Sequence, residues 1–294
     1  MTHDAVTDQD PLGMRGIEFI EYLSPHPEEL GAVLARLGFQ RVARHRSRAV
    51  SLYRQGDMNI IINADDIALS SRAVQDEGDR ISAIAIRVDN ANRAYHHCIQ
   101  QGAWAVPTRA DVMELKIPGI RGPGDSTFYL IDHRHNISIY DVDFEYLTDD
   151  TAPAPVIEGL KFFGIVQYIN PDSTAEWTDF YGRMMGFRAL PPHTRFGILP
   201  QGAILQSPHG HFYLQLIEPV GDALFDAEWY EQLARLAFGT PDVPATVRTL
   251  RERGVSFEDN EFAHPGQQGA VTAGLSFGIN FEIVRCPNAA PGHP

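Results

Sequence analysis

The sequence predicts an α+β protein of two modules, each built from a pair of strand–helix–three-strand units whose sheets curl into an open cup. Three observations carry that prediction. The outline of a strand, a helix and several short strands recurs four times along the chain. Two of the expected helices close on the same dipeptide, Gly38-Phe39 and Gly186-Phe187. A small, acidic, proline-containing stretch, Thr148-Asp149-Asp150-Thr151-Ala152-Pro153-Ala154-Pro155, separates the first two units from the last two. The expected division is a disordered start over 1–15, a module over 16–147, a linker over 148–158, a second module over 159–287 and a tail over 288–294.

In the first unit, residues 16–23 read as a strand. Ser24-Pro25-His26-Pro27-Glu28-Glu29 opens a helix that carries Leu30, Val33, Leu34 and Leu37 at helical spacing and stops at Gly38. Short strands follow at 41–45, 50–55 and 58–63, the last two joined by the hairpin signal Gly56-Asp57. Residues 64–80 form a polar connection. The second unit begins with a strand at 81–88, then a helix over 91–101 with Asp89 as its cap, and strands at 128–131 and 137–144. The third has a strand at 162–169, a helix at 174–185 with Trp177, Phe180, Tyr181 and Met184 on one face, and a hairpin of 203–206 with 211–218 around Ser207-Pro208-His209-Gly210. The fourth has a strand at 235–239, a helix at 243–253 and a terminal strand at 279–285.

Composition narrows the function. A net charge of −14 with a pI near 5.2 argues against nucleic acid, because phosphate contacts need clustered Lys and Arg. No apolar run reaches the ~18 residues of a spanning helix, so no membrane partner is expected. The start Met1-Thr2-His3-Asp4 lacks the features of a signal peptide, and the two cysteines, Cys98 and Cys286, fit a reducing compartment. The expectation is a cytoplasmic homo-oligomer that binds a small molecule.

The chemistry centres on the last strand. In Phe281-Glu282-Ile283, alternation sends Glu282 to the face opposite its two apolar neighbours. A carboxylate on an inner face needs a metal, a cation or a ligand to satisfy it. The histidines do not form an evident cluster. His96 and His97 are adjacent on a helix, away from the i,i+3 or i,i+4 spacing of ligands, and His133 and His135 flank Arg134 in a turn.

Several stretches resemble bacterial 4-hydroxyphenylpyruvate dioxygenase. They are Gly16-Ile17-Glu18-Phe19-Ile20-Glu21-Tyr22, His45-Arg46-Ser47, Leu52-Tyr53-Arg54-Gln55-Gly56, Ile139-Tyr140-Asp141-Val142-Asp143-Phe144 and Gly159-Leu160-Lys161. The resemblance covers most of the chain from Gly16 to about Arg285 and is closest in the first half. It implies the vicinal oxygen chelate fold of paired βαβββ units forming open barrels. It also implies one Fe(II) in the C-terminal barrel, held by His, His and Glu with positions open for a 2-oxo acid and O₂. The first His position falls on Gly164 in Phe162-Phe163-Gly164-Ile165, and the second on Arg235 in Arg235-Leu236-Ala237-Phe238. The third is Glu282. Glycine has no side chain to offer, and Arg stays cationic. The family's stretch before its last strand is shortened between about Phe257 and Leu275, and the sequence stops at Pro294, short of the family's lid helix. Its substrate contacts are therefore not carried over.

Three outcomes follow for the site. In the first, Arg235 takes the place of the iron, pairs with Glu282 and anchors a carboxylate or 2-oxo acid, with Gly164 leaving space beside it. Glu282 then serves as a general base for metal-independent chemistry of isomerase or lyase type. In the second, Fe(II) or another metal is held atypically by His209, His211 or Gln215, the last at the strand position where glyoxalase-like relatives carry a Glu. In the third, the protein binds a ligand without turnover in a cup lined by Phe162, Tyr168, Phe212, Tyr213, Phe238 and Phe281. The first is the expectation: catalytic Glu282 and Arg235, substrate contacts from Arg235, Gln215, Tyr168, Tyr213, Phe238 and Phe281, and no cofactor.

Overall fold

A computed structural model describes residues 9–70, 78–107, 115–133, 138–147, 157, 159–194, 202–219, 230–258, 269–274 and 279–286. The first unit comprises β1 (Met14–Leu23), α1 (Pro27–Arg36), β2 (Gln40–His45), β3 (Val50–Gln55) and β4 (Met58–Asn63), followed by a short helix, α2 (Asp66–Ser70). The second comprises β5 (Arg80–Val88), α3 (Ala91–Gln100), β6 (Gly119–Arg121), β7 (Thr127–Ile131), α4 (Ile139–Asp143) and β8 (Phe144–Tyr146). The third comprises β9 (Lys161–Tyr168), α5 (Thr174–Met185), β10 (Arg188–Ala189), β11 (Ala203–Gln206) and β12 (Tyr213–Ile217). The fourth comprises β13 (Gln232–Thr240), α6 (Val243–Glu252), β14 (Gly269–Val271) and β15 (Phe281–Arg285).

The strands form two open mixed sheets, ordered β6-β7-β5-β1-β4-β3-β2-β8 and β10-β11-β12-β9-β13-β15-β14. The same plan underlies both. A central antiparallel pair, β1–β5 in one and β9–β13 in the other, is flanked by parallel partners: β4 and β7 in the first, β12 and β15 in the second. Helices α1 and α5 both end on a glycine in the left-handed region. The amide of Phe39 donates to Leu34 and that of Phe187 to Tyr181, which satisfies carbonyls that the last helical turn leaves open.

One face of each sheet is directed at the other sheet. Tyr22 meets Phe281 at 6.1 Å between ring centroids, Phe39 meets Phe238 at 5.8 Å, and Phe238 stacks on Phe281 at 5.7 Å. Apolar stripes of α1, α3, α5 and α6 join the same core through Leu34, Ala94, Met185 and Leu250. Burying each of these rings contributes about 2–3 kcal/mol, so this shared layer dominates stability. The opposite faces hold smaller clusters: Phe19, Leu52, Ile61, Ala85 and Tyr140 in the first module, and Phe163, Ala237, Val284 and Cys286 in the second.

Three local expectations change. Residues 138–143, expected as strand, form the cap and single turn of α4. Ser138 accepts the Asp141 amide at 3.3 Å while the Asp141 carboxylate accepts the Ser138 amide at 3.0 Å, a reciprocal cap that favours helix. The cap of α3 is Asn90, whose side chain accepts the Arg93 amide at 3.0 Å, because Asp89 is taken up by Arg15 at 2.7 Å. β1 begins at Met14 rather than 16, with Leu12 already buried in the core and Asp10 accepting the Met14 amide. Residues 1–8, the tail 288–294, His135 and nearly all of the linker 148–158 lie outside the described residues.

Candidate functional site

Alternation along β15 places Phe281 and Ile283 in the shared core and sends Glu282 to the opposite face, where its side chain is only 2% exposed. There it joins a row of paired residues across four strands: Tyr213 opposite Gly164, Gly164 opposite Ala237, and Ala237 opposite Glu282. Above this row is a small cavity of about 20 Å³, lined by Gly164, Val166, Tyr213, Gln215, Ala237 and Glu282 among others. That volume holds one or two water-sized groups.

Arg235 sits one step along β13, opposite Val166. Its Nη1 stands 4.0 Å from Oε2 of Glu282, at the outer limit of an ion pair, and its side chain is 14% exposed. The guanidinium is thus held near a buried carboxylate and still reaches solvent. Gln215 lines the cavity from β12. Tyr213 stacks on Phe163 at 4.7 Å, while its hydroxyl donates to the Gly210 carbonyl at 3.0 Å and fixes the β11–β12 hairpin.

The equivalent row of the first module clarifies what is special here. There Phe19 is opposite Ala85, and Ala85 opposite Tyr129, with the Phe19 and Tyr129 rings 6.2 Å apart. Where the first module fills its inner face with two aromatic rings, the second has glycine and a carboxylate. Space at Gly164 is nevertheless limited. A Cβ built there would collide with the Tyr213 carbonyl oxygen and stand 3.1 Å from the carbonyl carbon. The open volume is therefore above the strands, and the direction a side chain at Gly164 would take is closed by backbone.

Several expected site residues are elsewhere. Phe238 and Phe281 face the shared core, as do Phe162, stacked on Phe238 at 6.1 Å, and Phe212. Simple alternation along this part of β13 sets the position of Phe238, since Arg235 and Ala237 take the cavity side while Leu236 and Phe238 join the shared core. Tyr168, at the far end of β9, is not among the lining residues. Phe163, Val166, Ala237 and Val284, unremarked in the sequence, line the cavity instead. Only the alternation around Glu282 in β15 could have pointed to Val284.

His209 and His211 lie in the β11–β12 turn. His209 Nδ1 accepts the His211 amide at 3.2 Å, and its Nε2 is buried with no hydrogen-bond partner. Burial, then the neighbouring His211, pushes His209 down to about 4. Among the described residues, no group of three or more His, Cys, Asp or Glu side chains is arranged to hold a metal ion.

Paired βαβββ units in open sheets define the glyoxalase-like, vicinal oxygen chelate class of fold. Comparison with known proteins narrows this further. A family model described as hydroxyphenylpyruvate dioxygenase, N-terminal, matches residues 9–145. A 4-hydroxyphenylpyruvate dioxygenase from Pseudomonas aeruginosa is 32% identical over 263 residues, covering 86% of this chain and 73% of its own length. The chain belongs to the 4-hydroxyphenylpyruvate dioxygenase family. Among solved structures, a xylose isomerase-like TIM barrel/4-hydroxyphenylpyruvate dioxygenase fusion protein superposes with a TM-score of 0.73 at 21% identity, covering 97% of this chain and 51% of the fusion. A 4-hydroxymandelate synthase variant from Streptomyces coelicolor gives a TM-score of 0.72 at 16% identity, covering 94% and 93%. These two likenesses speak to the fold. No helix among the described residues is long and apolar enough to cross a membrane.

Proposed function

We propose that this family member binds a small carboxylate or 2-oxo acid in its C-terminal module without iron, using Arg235 as the anchor and Glu282 as the base. The observation that carries the proposal is the Arg235–Glu282 pair, 4.0 Å apart, with Glu282 lining a small, mainly apolar cavity and Arg235 just outside that lining. On the correspondence implied by the family resemblance, Gly164 and Arg235 stand where two imidazoles would be needed. These residues do not fit Fe(II). One has no donor, the other cannot lose its proton, and the Cβ direction at Gly164 runs into the Tyr213 carbonyl. The cavity favours a carboxylate head over an aryl ring, because its volume accommodates only a few atoms.

A guanidinium next to a buried carboxylate suits enolisation of a 2-oxo acid. The proton on the carbon beside the carbonyl passes to Glu282 and returns to a different position, which needs no oxidant and no metal. Arg235 holds the substrate carboxylate and offsets the charge that develops on the oxygen. Turnover separates this reading from ligand binding alone.

The test is calorimetric titration of chelator-treated protein with glyoxylate, pyruvate and 4-hydroxyphenylpyruvate. Saturable binding of the smaller acids is expected, with loss on Arg235→Met and also on Ala237→Leu, which fills the cavity without changing charge. Binding that needs added Fe(II), or that survives Ala237→Leu, overturns the proposal.

A further inference from the structure

We propose that the inner face of the N-terminal module carries a second ligand site, for a compact oxyanion (carboxylate or phosphate) gripped by Arg54 and Arg87. Four neighbouring strands, β5-β1-β4-β3, carry Arg87, Glu18, Asn59 and Arg54 in that order. Glu18 is the foundation. Its side chain is 2% exposed, and its Oε2 accepts Arg87 Nε at 2.6 Å and lies 2.9 Å from His133 Nε2. Asn59, also buried, donates Nδ2 to the Glu18 carbonyl at 3.0 Å and accepts Arg54 Nε at 2.8 Å through Oδ1. Tyr140, from α4, donates its hydroxyl to the same carbonyl at 3.3 Å and presents its ring to the Arg54 guanidinium at 5.3 Å.

Each guanidinium is therefore fixed through Nε, and Arg54 also through its face. Among the described residues, the terminal nitrogens of both make no hydrogen bond. Two forks with their stems locked and their ends unused match the planar oxygens of a carboxylate or phosphate. The acidic neighbour Asp141 is engaged through Oδ2 by the amide and hydroxyl of Ser138. His133, half-exposed, borders the row beside Glu18.

Stability does not account for this row. The rest of the face is apolar, with Phe19, Leu52, Ile61, Ala85 and Ile131 packed together. Aliphatic side chains in place of a buried carboxylate and a buried amide would avoid their desolvation. The row uses β5, β1, β4 and β3, whereas Arg235 and Glu282 are on β13 and β15, so the two sites are separable by mutation.

The experiment titrates the full chain at low salt, in separate runs, with inorganic phosphate and with malonate. Saturable binding of either anion is expected. Arg54→Gln should weaken it about tenfold or more, as should the paired Glu18→Gln/Arg87→Gln change, which removes both charges together and so leaves no unpaired buried carboxylate. Because a small carboxylate also fits the site at Arg235, these changes are read on the anion binding that persists in Arg235→Met. Binding of phosphate alone identifies a phosphate site, and of malonate alone a carboxylate site; either supports the proposal. It is overturned if neither anion saturates, if binding survives both changes, or if only Arg235→Met removes it.

Discussion

Replacing Arg235 by Met keeps Glu282 as a carboxylate buried at 2% exposure and removes the guanidinium 4.0 Å from it. The loss can be sized from the geometry. At 4.0 Å, with an effective dielectric constant of about 20, the pair is worth about 4 kcal/mol. Little of that is recovered as solvation, since Glu282 stays buried, so a cost of about 3–4 kcal/mol is expected. Glu282→Gln should cost less, about 1–2 kcal/mol, because Arg235 is partly exposed and its long stem can carry the charge to water. The combined Arg235→Met/Glu282→Gln change should cost less than the Arg single. Urea unfolding midpoints of the four proteins, followed by circular dichroism at neutral pH, give the whole cycle. An Arg235→Met protein within about 1 kcal/mol of wild type would refute the reasoning. It would mean that the Glu282 charge is balanced elsewhere and that Arg235 is not its counter-ion.

Gly164→Ala should destabilise by about 1–3 kcal/mol, read as a drop in thermal midpoint, because β12 must move away from the new Cβ; an unchanged midpoint would contradict the close approach of the Tyr213 carbonyl. Asn90→Ala should cost about 1 kcal/mol through the lost cap of α3, measured by urea unfolding, and a neutral result would return the cap to Asp89. The pH profile of stability should carry the mark of His209. Its folded-state value is depressed, so its contribution is full above the ordinary histidine range and is lost as pH falls from about 6.5 to about 4. With partial solvent screening this amounts to about 2 kcal/mol, and His209→Gln should flatten that limb. If the acid limb is the same in both proteins, His209 is not the group responsible.

The unit plan is legible in the sequence because it rests on local signals: the Gly-Phe helix ends, the Gly56-Asp57 hairpin and apolar runs such as those of β4 and β15. Glu282 is legible for the same reason, as one polar residue inside an alternating strand. The family resemblance brings Gly164, Arg235 and Glu282 together, and the structure sets them on neighbouring strands. The lining of the cavity is not legible. Phe238 is three residues from Arg235 and adjacent to Ala237, so alternation sends it to the core rather than to the cavity. Phe281 contradicts the expectation in the same way, since alternation with Glu282 sends it to the core. The closure over Gly164 comes from the backbone of a strand about fifty residues away, which no property of the glycine announces. The Glu18 network is equally hidden, because Arg87 lies 69 residues from Glu18 and His133 lies 115.

The most direct measurement is anaerobic equilibrium dialysis of the full chain against Fe(II), with bound metal counted by mass spectrometry for wild type and Glu282→Ala. On the proposed reading that Gly164 and Arg235 occupy the two imidazole positions, wild type should hold no stoichiometric iron, and the two proteins should match. One equivalent of iron per chain in wild type, lost on Glu282→Ala, would contradict the account.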